Sequence, residues 1–264
     1  MKDSWKEFEF LDNPSLINYL FYPRPDYFAQ PDSDHALHVD LTVDDGISIS
    51  CQLYFGDKND PCILYFHGNG ELASEYEEVG MVFIGAGISL FVADYRGYGR
   101  SGGRPNVSNM LKDSQELLKG FKRTLAETGF QGSHFVMGRS LGSESAIELA
   151  ANYPGEFKGL IIESGFCDIT DLLGRLGLSP ADEQRSGHKT PGLDRVRRIT
   201  IPSLIIHGEY DSIVPMAEGE KIFRNLVSAD KRMVVVPNAD HNSVFMDATD
   251  LYMRELGDFS KRNK

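Results

Sequence analysis

Near the middle of the chain, the motif GRSLG at residues 138–142 places Ser140 between two glycines. An apolar run precedes the motif and a segment of helical period follows it, so the serine sits at a sharp strand-to-helix turn. Such a turn forces its central residue into a strained, exposed conformation, and the flanking positions have room for little beyond glycine. The motif therefore predicts a nucleophile at Ser140. The alternative is an ordinary helix N-cap serine.

A serine hydroxyl is a weak nucleophile at neutral pH, so it needs a base to take its proton and an acid to orient that base. Of the seven histidines, His241 follows the last predicted strand and is the candidate base. Asp211 follows the penultimate predicted strand and is the candidate acid, which gives the chain order Ser, Asp, His. Glu163, after an earlier strand, is the alternative acid, although we expect it to pair with an arginine such as Arg139.

Two further histidines and one glycine-rich loop are not predicted to take part in catalysis or cofactor binding. His67 and His207 each precede a glycine at a predicted strand end, and we expect them to bond loop backbone beneath the site. Residues 97–102 spell the G-x-G-x-x-G of dinucleotide sites. However, this loop follows a middle strand, and Pro105 interrupts the chain before any helix begins. We therefore predict no organic cofactor, and the sequence shows no metal-ligand spacing.

The elements that must position these residues follow a regular alternation. Short apolar runs alternate with longer segments of helical period, which is typical of a parallel sheet with crossover helices. After a leading pair at 38–43 and 47–55, strands are predicted at 62–66, 88–93, 134–137, 160–162, 203–206 and 232–236. Helices are predicted at 72–84, 107–128, 141–153, 215–226 and 243–261. Because parallel strands share one carboxyl edge, Ser140, Asp211 and His241 are expected to meet there.

The length of 264 residues favours a single domain, 1–264, rather than two small ones. We expect an N-terminal extension at 1–31 packed on the domain and a small cap or lid insertion at 168–199. The insertion carries four leucines that either form the apolar lip of a substrate cleft or pack as one face of a helix. They are Leu172, Leu173, Leu176 and Leu178.

The composition excludes several classes of protein. Hydrophobic residues make up 41% and charged residues 25%, as in an ordinary soluble domain. A net charge of -12 opposes binding to phosphate backbones or anionic lipid, so no nucleic-acid partner is expected. No apolar run reaches the roughly 18 residues of a membrane span, and the N-terminus lacks a signal-peptide pattern. With three cysteines in no recognisable pattern, we expect a cytoplasmic protein without stable membrane insertion.

Taken together, the motifs resemble the α/β-hydrolase superfamily of serine hydrolases over about residues 37–259. YFHGNG at 65–70 is similar to the oxyanion-loop motif of that superfamily, DYRGYGRSGG at 94–103 to the loop after the fourth strand, and GEYDSIVP at 208–215 to the acid loop. The short insertion and the FYPRPD segment at 21–26 resemble small-lidded, ABHD-type hydrolases, some of which cleave acyl esters or thioesters.

The resemblance implies an α/β fold with a mostly parallel central sheet of about eight strands, helices on both faces and a small cap insertion. It also implies that Ser140 is the nucleophile, Asp211 the orienting acid and His241 the base. The backbone N–H groups of Asn69 and Leu141 would be the oxyanion donors, and the glycine after Asn69 could take its place.

The implied reaction is cleavage of a small-molecule carboxylic ester or thioester through an acyl-enzyme, without metal or cofactor. Serine peptidase, lipase and acyltransferase activities remain alternatives, because pocket shape does not follow from these motifs. A non-catalytic module that binds a small ligand or a protein on the same fold is the alternative from another class. The serine argues against the dehalogenase and epoxide-hydrolase branches, which use aspartate at this turn.

Overall fold

The computed structural model of the protein describes residues 4–26, 33–175, 177–178 and 191–264. Within these ranges eight strands form one sheet, in the order β1-β2-β4-β3-β5-β6-β7-β8. Strand β2 pairs antiparallel with both of its neighbours, and the other pairs are parallel. The strands β1 to β8 are Ala36–Asp44, Ile47–Tyr54, Cys62–Phe66, Ser89–Ala93, His134–Arg139, Gly159–Glu163, Ser203–Gly208 and Lys231–Val236.

Helices connect the strands and cover both faces of the sheet. The α-helices of the described residues, α1 to α8, are Pro14–Leu20, Glu77–Gly85, Val107–Thr128, Ser143–Asn152, Ile169–Arg175, Pro191–Val196, Met216–Asn225 and Thr249–Arg262. Short 3₁₀ helices lie at Ser4–Leu11, Ala73–Tyr76, Ser140–Gly142 and Pro154–Glu156. This mostly parallel sheet with helices on both faces confirms the predicted fold class.

The alternation of side chains along each strand divides the core into two layers, one on each face of the sheet. In β3, Cys62, Leu64 and Phe66 join the cluster that contains apolar residues of α3, α4 and α7. The intervening Ile63 and Tyr65 join the second cluster, with apolar residues of α2 and α8. Successive side chains of a strand point to opposite faces, so a fully apolar run is the pattern of a strand covered on both sides.

Two helices begin later than their apolar period predicts. The segment expected from residue 72 starts as the 3₁₀ turn Ala73–Tyr76, and α2 follows from Glu77. The last helix, expected from residue 243, begins at Thr249. The intervening residues form turns, held in part by the Asp247 N–H donating to the Ser243 carbonyl at 2.8 Å. These turns let the chain cross the carboxyl edge of the sheet before it enters α8.

The described part of the N-terminal extension, residues 4–26, packs on the sheet's helical layer. Phe8 and Leu11 of the 3₁₀ helix and two leucines of α1 are buried in the larger core cluster. Asp12 caps the start of α3, because its carboxylate accepts from the Ser108 N–H at 3.1 Å. The chain then runs toward the carboxyl edge of the sheet.

The described leucines among residues 172–178 pack against the core. Leu173 is fully buried, and Leu172 and Leu178 pack partly against the same core cluster. Leu172 and Leu173 lie in α5, which matches the helix-packing interpretation, and Leu178 follows the end of that helix. Leu176 and residues 179–190 lie outside the described residues.

A buried ion cluster joins α6 to α4. The Arg195 guanidinium of α6 pairs with Glu144 and lies 3.3 Å from a Glu148 carboxylate oxygen. Its central carbon lies 4.4 Å from the centroid of the Phe8 ring in the N-terminal 3₁₀ helix. Side chains of all three charged residues are at most 2% exposed. One cation therefore contacts α6, the N-terminal 3₁₀ helix and the helix that follows Ser140.

We expect the substitution Arg195→Met to destabilise the fold by about 3–5 kcal/mol, because it leaves two buried carboxylates without their cation. Arg197→Met is the matched control, since the Arg197 side chain is 54% exposed. It should change the free energy of unfolding by no more than about 0.5 kcal/mol. Urea unfolding of both variants measures the difference. Equal stability of Arg195→Met and the wild type would contradict the structural role of the cluster.

Candidate active site

The turn between β5 and α4 is tightly packed. Ser140 has a φ of 51°, which is uncommon for a residue with a side chain. A Cβ added at Gly138 would lie 2.3 Å from the Gly142 carbonyl oxygen, and one added at Gly142 would lie 2.1 Å from the Phe66 carbonyl oxygen. Neither position can hold a side chain without backbone movement, which is the steric reason expected for both glycines.

The structure brings together the three residues that the sequence singled out. The Ser140 Oγ lies 3.0 Å from His241 Nε2, and His241 Nδ1 lies 2.8 Å from Asp211 Oδ2. An ionised carboxylate can only accept, so Nδ1 donates to Asp211 and Nε2 is left to accept from the serine hydroxyl. All three side chains are largely buried. The arrangement can therefore pass a proton from hydroxyl to imidazole while a carboxylate fixes the ring.

Asp211 is held as an ionised acceptor by its surroundings. Its Oδ1 accepts from the backbone N–H groups of Ile213 at 3.1 Å and Val214 at 2.8 Å. Burial alone would raise the pKa of this carboxyl, but hydrogen bonds from His207, His241 and the Val214 amide outweigh it and hold the pKa below its ordinary value. Asp211 is consequently charged at neutral pH.

Glu163, the alternative acid, has other partners. Its Oε1 accepts from Arg139 Nε at 3.1 Å, as the sequence favoured, and its Oε2 accepts from the Tyr252 hydroxyl at 2.6 Å. The structure places Asp211, and not Glu163, against the His241 ring.

The loop after β3 lies directly beside the turn that carries Ser140. Strands β3 and β5 are neighbours, and Phe66 is in register with Gly138. Asn69 and Leu141 each follow these paired positions by the same number of residues. The Leu141 N–H lies in the first turn of a helical segment, where amides have no intrahelical acceptor. Both residues predicted as oxyanion donors are thus on adjoining loops at the edge where Ser140 lies.

The Asn69 side chain is fixed from two directions. Its Oδ1 accepts from the Tyr22 N–H at 2.7 Å and from the Tyr98 hydroxyl at 2.6 Å. The Tyr22 N–H also lies 2.8 Å from the Tyr98 hydroxyl oxygen. The Asn69 side chain therefore ties the loop after β3 to the N-terminal segment and to the loop after β4.

The N-terminal segment reaches the same loop. Arg24 Nε donates to the Gly70 carbonyl at 2.5 Å, and the Arg24 guanidinium pairs with Glu75. The Arg24 carbonyl in turn accepts from the Gly99 N–H at 2.9 Å. The loop that carries Asn69 is therefore held between the N-terminal segment and the loop after β4. These contacts have no sequence signal beyond the resemblance of the FYPRPD segment.

The two other strand-end histidines bond loop backbone. His67 Nδ1 donates to the Gly68 carbonyl at 2.8 Å, and its Nε2 lies 3.0 Å from an Asp94 carboxylate oxygen. Burial alone would lower the pKa of His67, but Asp94 raises it above its ordinary value. His207 Nε2 donates to the Val214 carbonyl at 2.8 Å, beneath Asp211. Both interactions are of the structural kind that the sequence predicts.

Neither a metal-binding cluster nor a membrane-crossing helix occurs among the described residues. Among these residues, no group of three or more His, Cys, Asp or Glu side chains is arranged to hold a metal ion. Likewise, none of the helices in the described part of the chain combines the length and the apolar character that a membrane crossing requires.

The packing of the turn leads to a stability prediction. Gly142→Ala should destabilise the fold by about 1–3 kcal/mol, because the new methyl group must displace the backbone after β3. Thermal unfolding should show a decrease in Tm of about 2–4 °C for each kcal/mol. Gly155→Ala is the matched control, since a Cβ there meets no atom within 4 Å. The same Tm for both variants would mean that the turn is not the tight contact described.

Several known proteins are similar to this chain in sequence or in fold. A family model described as "Serine aminopeptidase, S33" matches residues 57–183 and 192–247. The uncharacterised protein YfhR of Escherichia coli (strain K12) is 25% identical over 254 residues, which are 92% of this chain and 86% of that protein. The α/β-hydrolase domain-containing protein WAV2 of Arabidopsis thaliana is 27% identical over 76% of this chain and 70% of its own length.

A solved structure supports the fold. The esterase Pf2001 of Pyrococcus furiosus superposes with a TM-score of 0.73 at 20% identity, and the superposition covers 92% of this chain and 98% of that one. The sheet order and the family match lead to one conclusion. The chain belongs to the family described as serine aminopeptidase, S33, and is a member of the α/β-hydrolase superfamily.

Proposed function

We propose that the protein is a serine hydrolase that cleaves a carboxylic ester or thioester through an acyl-enzyme. The observation that carries this proposal is the continuous pair of hydrogen bonds from Ser140 to His241, at 3.0 Å, and from His241 to Asp211, at 2.8 Å. A serine that merely caps a helix needs no buried imidazole and carboxylate aligned behind it. A hydrolase of the α/β type is therefore the function that the site supports best.

In the proposed acylation, Ser140 Oγ forms a bond to the acyl carbon while His241 Nε2 takes the hydroxyl proton. The electron pair of the carbonyl bond moves onto its oxygen, which accepts from the N–H groups of Asn69 and Leu141. A donor of this kind typically raises kcat by a factor of about 10²–10³. When the intermediate collapses, the bond to the leaving group breaks, and the imidazolium gives its proton to the departing alcohol or thiol.

Water completes the proposed cycle. His241 Nε2 takes a proton from a water molecule, whose oxygen adds to the acyl carbon of the ester on Ser140. The bond from carbon to Oγ then breaks, the serine recovers its proton from the imidazolium, and the free acid leaves. Asp211 remains ionised throughout and stabilises the imidazolium, a role that its lowered pKa suits.

A fluorophosphonate probe tests the nucleophile. The probe should label the wild type and leave Ser140→Ala unlabelled, because only an activated serine attacks phosphorus at a useful rate. Ser145→Ala is the matched control: Ser145 is also buried, lies in α4, and should be dispensable for labelling. Circular dichroism establishes that each variant is folded.

Two results would contradict the proposal. Labelling of Ser140→Ala to the wild-type extent would place the reactive group elsewhere. A folded wild type that takes no label would favour the non-catalytic binding module on the same fold.

The description of the matched family favours a second candidate, a serine peptidase that acts at the amino end of a peptide. The esterase Pf2001, which shares the fold, is consistent with the ester proposal without deciding it. Both reactions use the same acyl-enzyme chemistry, so the discrimination must come from the pocket.

Substrate panels separate the two candidates. We expect the wild type to hydrolyse p-nitrophenyl esters and acyl thioesters, and to leave amino-acid p-nitroanilides at the background rate of Ser140→Ala. Chromogenic and thiol-release assays measure both panels with the same preparation. Turnover of the anilides that depends on Ser140 would decide for the peptidase.

A further inference from the structure

Arg139, the residue before the proposed nucleophile, is bonded to groups from three directions. Its Nε donates to Glu163 Oε1 at the end of β6 at 3.1 Å, and its Nη1 pairs with Glu71 in the loop after β3. Its Nη2 donates to the His241 carbonyl at 2.9 Å and to Asn242 Oδ1 at 3.2 Å. One side chain thus joins the ends of several strands at the carboxyl edge of the sheet.

We propose that Arg139 is a positioning residue. It holds the loop of His241 and the loop of Asn69 in the positions around Ser140 that the proposed reaction requires. The inference rests on the proposed function, because it assigns how the groups of that same site are kept aligned.

The connection to the His241 loop is direct. The Arg139 Nη2 binds the carbonyl of His241 itself, so the guanidinium fixes the backbone from which the imidazole extends. The 3.0 Å separation between Nε2 and the Ser140 Oγ depends on that backbone position. Misplacing a reacting group by about 1 Å can cost about 10²-fold in rate.

The connection to the Asn69 loop passes through Glu71. The Glu71 carboxylate that pairs with Arg139 also accepts from the Gly68 N–H at 2.7 Å and from the Tyr76 hydroxyl at 2.6 Å. Gly68 directly precedes Asn69, so the carboxylate anchors the backbone of the loop that would supply an oxyanion donor. The same cation is consequently bonded to the base loop and, through one carboxylate, to the oxyanion loop.

The charge and shape of the guanidinium suit this role. Burial alone would lower the pKa of Arg139, but the carboxylates of Glu71 and Glu163 raise it above its ordinary value, so the cation persists at every working pH. Its planar fork can donate in three directions at once, whereas a lysine ammonium is a compact point charge on a flexible stem. A lysine at this position would keep the charge and lose part of the geometry.

A cavity of about 230 Å³ adjoins this group and gives a way to test it. Arg139 lines the cavity together with Tyr252, Phe245 and Met246, and the Met246 side chain is 73% exposed. The cavity therefore reaches the protein surface. Truncation of Arg139 would open a space, between two carboxylates, that free guanidinium ion can enter from solution.

The test compares Arg139→Ala with Arg96→Ala. Arg96 is another largely buried arginine, bonded through two nitrogens to Asp113 at 2.7 Å and lacking any role in the proposed site. On a p-nitrophenyl ester, we expect Arg139→Ala to lose about 10²-fold in kcat with KM changed by no more than about twofold. Arg96→Ala should keep the wild-type kcat per folded molecule, whatever its Tm.

Chemical rescue of kcat distinguishes a positioning role of Arg139 from a purely structural one. Millimolar guanidinium chloride should raise the kcat of Arg139→Ala with a saturable dependence, and should leave the wild type and Arg96→Ala unchanged. Arg139→Lys, which keeps the positive charge, serves where the alanine variant does not fold. It should remain folded and lose about tenfold in kcat.

Specific results would overturn the inference. A wild-type kcat for the folded fraction of Arg139→Ala or for Arg139→Lys would show that Arg139 does not align the site. Guanidinium that restores the Tm of Arg139→Ala without its kcat would reduce Arg139 to a structural residue. These outcomes require an active wild type, so they differ from failure of the proposed function, in which the wild type itself neither hydrolyses the ester nor takes the fluorophosphonate label.

Discussion

The close contact between the start of α4 and the end of β3 constrains the rest of the site. A Cβ on Gly142 would lie 2.1 Å from the Phe66 carbonyl oxygen, so the helix can begin there only because that atom is missing. Because the chain is packed this tightly, it must turn within a single residue. Ser140 is that residue, and its φ is 51°. The hydroxyl then lies beside the first amides of the helical segment, which favour negative charge. The strained backbone of Ser140 is the consequence of packing between the turn after β5 and the end of β3.

Two arginines hold the elements around this turn. Arg139 bonds the loops at the carboxyl edge, and Arg195 bonds α6 to α4 through Glu144 and Glu148. Buried ion pairs add little net stability once the desolvation of both charges is included, but removing one partner is costly. We therefore interpret both clusters as devices that select one arrangement of loops. In this account the alignment of the site and the stability of the fold depend on the same contacts.

Local sequence patterns were sufficient for the strands and for the residues that meet at the sheet edge. An apolar run predicts a strand covered on both faces, and the chain order of Ser140, Asp211 and His241 follows from their places after successive strands. The start of α8 at Thr249 was missed because the apolar period continues through turns that the crossing of the sheet edge requires. The contacts of Arg139 with residues far along the chain have no local pattern, because they depend on which loops become neighbours after folding.

The central claim is that Ser140 becomes a nucleophile because His241 accepts its proton. Mass spectrometry of the protein quenched during the first turnovers of p-nitrophenyl acetate tests this claim most directly. The account predicts a single acetyl group per wild-type chain, located on the peptide that contains Ser140, and none on that peptide in His241→Ala. An acetyl group on another residue, or an adduct that forms equally fast without the imidazole, would contradict it.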